Sequence, residues 1–267
     1  MKKLIFNADD FGLSYGVNFG IQESHLRGVQ TSTTIMAGMP AFDHAVQLAK
    51  GMPTLGIGVH LTLTCGRPLL ASHKTLTEAD GNFHRLSFYK QEDTAPDPDE
   101  VFREWHAQIE KTITAGIQPT HLDSHHHMHI FKGLEPIFLQ LAEEYHLPVR
   151  NSVQGRLTTR LGNAACPQAL IDFVENSGVH FHTPLPEYAV GIDRCMRRLI
   201  PDALETLDTI EIMCHPAYLD TDVMLHSSFN LHRMCEVDLL TSPETQEFLH
   251  SLENASLANY SSLHKED

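Results

Sequence analysis

Residues 119–130 read Pro-Thr-His-Leu-Asp-Ser-His-His-His-Met-His-Ile, and five of the chain's 19 histidines fall within nine positions of that segment. Imidazole is the commonest protein ligand for metals, and an aspartate among histidines suits a borderline divalent ion. If Thr120 to His125 runs as a strand, His121, Asp123 and His125 share one face while Leu122 points the other way. His127 keeps the same parity if the strand continues. The competing reading is a solvated histidine-rich loop that binds metal only fortuitously. Pro119 and Leu122 speak against it, because they look like a strand entering a core.

Three other segments deliver acidic or imidazole side chains at strand ends. Asn7-Ala8-Asp9-Asp10-Phe11-Gly12 sets two carboxylates side by side. Adjacent carboxylates repel, and a metal is the simplest compensation; a capping or turn aspartate ahead of a structural Gly12 is the plain alternative. In Leu55–Thr64, Leu55, Ile57, Val59, Leu61 and Leu63 fall on one face, and Gly56, Gly58, His60, Thr62 and Thr64 on the other. A face of glycines and threonines with one histidine suits a barrel interior that a ligand approaches, although a lone strand histidine often serves only as a hydrogen-bonded core residue. Thr209–Pro216 ends in Cys214-His215-Pro216, with Ile210, Ile212 and Cys214 facing one way and Glu211, Met213 and His215 the other. A histidine there could equally be a cap. Four strand ends that each supply Asp or His point together to a mononuclear metal site flanked by acid and base groups.

The elements that must position these residues alternate β-rich runs with amphipathic helical patterns, the signature of an α/β fold with a mainly parallel sheet. Strands are expected at Lys3–Ala8, Thr31–Ala37, Leu55–Thr64, Thr120–Ser124, Pro148–Val153, Val179–His182 and Thr209–Cys214, with a weak one near Ser256–Tyr260. Helices are expected at Gly16–Arg27 (closed by Gly28 as the C′ residue), Pro40–Lys50, Pro98–Ala115, Leu134–Tyr145, Pro167–Glu175, Ala189–Leu199, Leu231–Leu240 and Pro243–Leu252. Seven or eight strands in this length fit a (β/α) barrel, complete or distorted, with its chemistry at the C-terminal strand ends. The long stretch Cys65–Ala95 has the character of a lid or binding loop.

The 267 residues are read as one domain spanning 1–267, with an ordinary 42% hydrophobic content. A formal charge of −15 argues against a nucleic-acid or anionic-membrane surface. No apolar run approaches the roughly 20 residues of a membrane span. The opening Met-Lys-Lys-Leu-Ile-Phe is cut short by Asn-Ala-Asp-Asp and does not read as a signal peptide. Cys65, Cys166, Cys195, Cys214 and Cys235 are odd in number and widely spaced, so reduced thiols in a cytoplasmic protein are expected.

The strings Asn7-Ala8-Asp9-Asp10-Phe11-Gly12, Thr31-Ser32-Thr33-Thr34, Gly58-Val59-His60, Pro119-Thr120-His121-Leu122-Asp123-Ser124-His125-His126-His127 and Cys214-His215-Pro216 resemble the YdjC-like family. That family includes the chito-oligosaccharide (diacetylchitobiose) deacetylases and looks like a distant relative of the NodB polysaccharide deacetylases, which use a distorted (β/α) barrel. The likeness runs from Leu4 to Pro243, and the His-Leu-Asp-Ser-His-His-His string is its most specific part. The resemblance implies Asp10, His60 and His125 as metal ligands, Asp9 as general base and His215 as general acid. His127 remains an alternative to His125. It further implies a magnesium-dependent homodimer that removes acetyl groups from short N-acetylated sugars. Two imidazoles and one carboxylate nevertheless suit Zn²⁺ or another transition metal better than Mg²⁺, which prefers oxygen ligands. The rival expectations are a barrel hydrolase acting on another C–N or ester bond, and a metal- or sugar-binding protein without turnover; a pure binder would not need both Asp9 and His215.

Overall fold

The computed structural model describes residues 1–92, 94–151 and 165–263. Its seven strands are β1 (Lys2–Phe11), β2 (Ser32–Ile35), β3 (Gly56–Leu61), β4 (Leu122–Ser124), β5 (Ala169–Asp172), β6 (Thr209–Cys214) and β7 (Ala255–Leu257). All pair in parallel, in the order β4-β3-β2-β1-β6-β5, with β7 joined to β1. The result is the distorted parallel barrel the alternation implied, with helices around its outside.

The outward faces of the strands bury apolar side chains under the helices, as period-two patterning requires. Leu4, Phe6, Ile35, Ile210 and Ile212 pack with the helices Tyr15–Arg27 and Leu185–Leu204, while Val59, Leu61 and Leu122 pack with Trp105 and Phe138. The inward faces are polar, and their C-terminal ends form the site. Helix Pro98–Thr114 begins as the sequence suggests. Asp97 caps it by accepting from the Asp99 and Glu100 amides, and Pro98 sits in its first turn.

Several expectations need correction. Val179–His182 is a turn ahead of helix Leu185–Leu204, not a strand. Pro167–Glu175 is not one helix: Ala169–Asp172 is β5, paired with β6, and Asp172 then caps the short helix Phe173–Ser177 by accepting from the Val174 and Glu175 amides. Four residues containing Leu170 and Ile171 carry too little period to separate strand from helix, and the neighbouring strand decides. In Pro148–Val153 only Val149 forms a bridge, to Leu122, and residues 152 and 153 lie outside the described residues. Gly28 is not a left-handed C′ residue; its φ is −126°. It is small because a Cβ there would come within 2.3 Å of the Leu240 carbonyl oxygen.

The stretch Cys65–Ala95 is less of a lid than expected, because helix Pro98–Thr114 pins its first half. The Glu104 carboxylate accepts the amides of Leu69 and Leu70, and Glu100 accepts those of Lys74 and Thr75. Leu76, Phe83 and Tyr89 anchor the remainder in the core.

Candidate active site

Adjacent strand residues ordinarily point to opposite faces, so Asp9 and Asp10 should not both enter the barrel. They do because β1 bulges there. Ala8 pairs with Thr33 and Phe11 with Ile35, leaving two residues of β1 against one of β2. Asp10 takes up the distortion at φ 73°, a region that aspartate tolerates better than most side chains. Both carboxylates end up buried at the mouth, 3% and 1% exposed.

His60 stands at the end of β3 and turns Nε2 toward them, 3.5 Å from Asp10 Oδ1 and 3.8 Å from Asp9 Oδ2. Its other nitrogen is fixed behind. Nδ1 lies 2.7 Å from Asp123 Oδ1 on β4 and 3.1 Å from Thr34 Oγ1 on β2. Donation from Nδ1 to Asp123 leaves the Nε2 lone pair facing the site, the arrangement that orients metal-binding histidines. Burial pushes the His60 imidazole down, but Asp123, Asp9 and Asp10 together outweigh it and hold it at about 9.

His125 does not lie on a strand. β4 stops at Ser124 and a 3₁₀ turn, His125–Ile130, begins, with His126 and His127 in left-handed backbone at φ 55° and 53°. The turn brings His125 Nδ1 within 3.1 Å of Asp10 Oδ1. His127 does not join the cluster of Asp10, His60 and His125: its ring packs near His129, and burial, with Arg150 next, lowers it to about 4. His121 does face inward with Asp123, but in a deeper layer, stacked on Tyr260.

His215 follows β6 with Nε2 3.9 Å from Asp9 Oδ2 and its ring edge-on to Phe229. Burial pushes it down to about 4 against the pull of Asp9 and Asp10, so the imidazole is neutral at neutral pH. Glu236 on helix His232–Thr241 accepts the His215 backbone amide and so fixes where that ring starts.

Two arginines complete the site, and neither was singled out from sequence. Arg150 is fully buried and grips Asp9 with two parallel bonds, Nη1 to Oδ2 at 2.7 Å and Nη2 to Oδ1 at 2.6 Å. It also reaches Asp123 at 2.8 Å and Glu211 at 2.7 Å. Burial would raise the Asp9 carboxyl, but Arg150 and then His60 hold it well below the usual carboxylate range. Arg233 donates from Nη2 to Asp10 Oδ2 at 2.7 Å, and with His125 it overrides burial to keep Asp10 ionised. A sequence signal existed for Arg150, a lone charge in the strand-like run Leu147-Pro148-Val149-Arg150. Arg233 sits on a helix with no pattern that marks it.

The donor set fits a divalent ion. Asp10 Oδ1 is buried and faces the imidazole nitrogens of His125, at 3.1 Å, and His60, at 3.5 Å, since Arg233 has taken Oδ2. That oxygen, a nitrogen of His60 and a nitrogen of His125 all lie within 4.8 Å of one another. One carboxylate oxygen and two imidazoles are the ligands a borderline metal takes. Asp9 cannot serve as readily, because Arg150 engages both of its oxygens.

The YdjC-like protein family matches residues 3–251 of the chain. A carbohydrate deacetylase of Brevibacillus brevis is 40% identical over 264 residues, covering 98% of this chain and 99% of that one. Among solved structures, an Enterococcus faecalis V583 protein named for cellobiose-phosphate cleavage superposes with a TM-score of 0.84 at 34% identity, covering 99% of each chain. A peptidoglycan N-acetylglucosamine deacetylase reaches a TM-score of 0.50 at 15% identity over 98% of this chain and 87% of its own, which speaks for the fold alone.

Proposed function

The chain belongs to the YdjC-like family, and from that premise we propose that it is a metal-dependent carbohydrate deacetylase, releasing acetate from short N-acetylated sugars of the chitobiose type. The observation that carries this reading is the flanking of one donor set by two acid–base groups. Asp9 Oδ2 lies 3.8 Å from His60 Nε2 on one side and 3.9 Å from His215 Nε2 on the other.

Asp10, His60 and His125 would hold the ion, which when bound polarises the acetamide carbonyl and makes an attacking water more acidic. Asp9, kept ionised and oriented by Arg150, accepts the proton of that water at Oδ2. A carboxylate held so acidic does not keep a proton. The neutral His215 Nε2 is the nearby acceptor, and taking the proton converts it into the acid that the reaction needs next. His215 then protonates the amide nitrogen as the C–N bond breaks, giving acetate and a free amino sugar. Neutral imidazole at rest and imidazolium in the second half are thus two stages of one cycle.

The resemblance favours Mg²⁺, whereas the two imidazoles favour Zn²⁺ or a similar transition metal. Acetate release from diacetylchitobiose, measured before and after chelation and then with each ion restored, tests the reading. Loss on chelation with recovery by a divalent ion is expected. An enzyme with metal demonstrably bound that frees no acetate from any N-acetyl sugar would shift the reading to another C–N or ester bond.

A further inference from the structure

The family match ends at residue 251, yet Tyr260, nine positions beyond it, is among the most deeply buried large side chains. The segment around it is built into the barrel floor. β7 pairs with Lys2–Leu4 of β1, the Ala258 amide donates to the Leu4 carbonyl at 2.9 Å, and Lys3 Nζ donates to the Ser262 carbonyl at 2.6 Å. Asn259 ties the same turn to the Thr54 carbonyl.

Inside, the Tyr260 ring lies flat on His121, with centroids 3.6 Å apart and planes 1° from parallel. Its hydroxyl donates to Glu211 Oε2. Glu211 Oε1 accepts from Arg150 Nε at 2.8 Å, and the far side of that guanidinium holds Asp9. The chain of contacts is therefore Tyr260, Glu211, Arg150, Asp9, and every member is buried. Glu211 reaches Arg150 with the oxygen that Tyr260 does not use, so the hydroxyl sets how the carboxylate is turned.

We propose that Tyr260 is a positioning residue for the deacetylation: its hydroxyl orients Glu211, which holds Arg150 in the pose that aims Asp9 at the attacking water. The part of the C-terminal turn that bears on catalysis is then the Tyr260 hydroxyl, while the rest of the turn only anchors it. The proposal rests on the functional reading above, with Asp9 as the base. A small loss of aim at such a group acts on turnover and leaves sugar contacts at the mouth untouched.

Two variants separate aim from packing. Tyr260→Phe keeps the ring and its stack on His121 and removes only the hydroxyl. Asn259→Ala loosens the same turn without touching the polar chain. In Tyr260→Phe, kcat should fall about tenfold with KM and metal content unchanged, the scale on which slight misorientation is felt. Asn259→Ala should lower the melting temperature and leave kcat within about twofold of the parent, since it changes no group in the reacting geometry. A second readout needs no turnover. The Arg150 Nε–H resonance should shift and exchange faster with solvent in Tyr260→Phe, and not in Asn259→Ala. Parent enzyme that releases no acetate would defeat the functional reading, while the Arg150 signal would still decide the contact chain. Full kcat in Tyr260→Phe, an unmoved Arg150 signal, or kcat losses that simply follow stability in both variants would overturn the proposal.

Discussion

At Asp10 a left-handed backbone angle and a carboxylate serve one purpose. The bulge costs on the order of 1–3 kcal/mol for a non-glycine residue, and it lets Asp10 stand beside Asp9 where an ordinary strand would part them. Arg233 then takes one oxygen of Asp10, and the other is left to face His60 and His125. His60→Ala and His125→Ala should each lose the divalent ion in elemental analysis of the purified protein; full occupancy in both would remove them as ligands. Asp9→Asn should keep the ion while kcat falls about 10²-fold or more, the usual scale for an acid–base group. Near-normal turnover would make Asp9 structural. The residue types were legible from sequence, and it was the family resemblance that set Asp10 with His60, whose Nε2 lies 3.5 Å from Asp10 Oδ1. The bulge was not legible, because nothing in Asp-Asp-Phe-Gly says that both carboxylates will turn inward. Arg150 and Arg233 escaped notice for a related reason. Their importance comes from where distant segments meet, not from their neighbours in the chain.

Among the elements, those with long or strict periods were readable and the short ones were not. The alternation in Leu55–Thr64 correctly put His60 inside the barrel and Val59 and Leu61 under the helices. The same logic failed at Ala169–Asp172, where four residues cannot display a period. It says nothing beyond Ser124, where the strand ends as expected and the left-handed backbone of His126 and His127 turns the chain. β5 nonetheless carries a testable electrostatic signature. Burial raises Asp172 to about 6 from an ordinary 3.8, so its protonated form is favoured in the folded chain. The stability this contributes is complete below the unfolded value and is lost as pH rises through the folded one. Asp172→Asn, which retains a capping side chain, should therefore gain in melting temperature relative to the parent between about pH 4 and pH 7, a difference that is then constant. A gap that does not change with pH would refute the assignment. Helix Tyr15–Arg27 offers a steric test. A Cβ on Gly20 would lie 2.4 Å from Ala217 Cα, just past His215, and backbone cannot yield as a flexible side chain can. Gly20→Ala should cost about 1–3 kcal/mol in denaturant unfolding, as overpacked sites do. An unchanged midpoint would mean that helix and loop slide apart freely.

For the whole molecule, the resemblance implies a homodimer, and among the described residues no helix is long and apolar enough to cross a membrane. Light scattering on a size-exclusion column should give twice the chain's 30.0 kDa; a single-chain mass at micromolar concentration would contradict the dimer. The buried layer of charge beneath the mouth has a consequence for how the chain reaches its final state. Asp9 meets its arginine 141 residues along the chain, and Asp10 meets its own 223 residues along. Such distant partners close large loops before any reward is gained, which slows their meeting. Until they arrive, Asp9, Asp10, Asp123 and Glu211 cannot be desolvated together without opposing charge, so partial collapse around this layer is penalised. Local helices and the outer apolar clusters can form while the barrel interior is still wet. The capacity to bind an ion would therefore be the last property to return on refolding, and it would return in a single step.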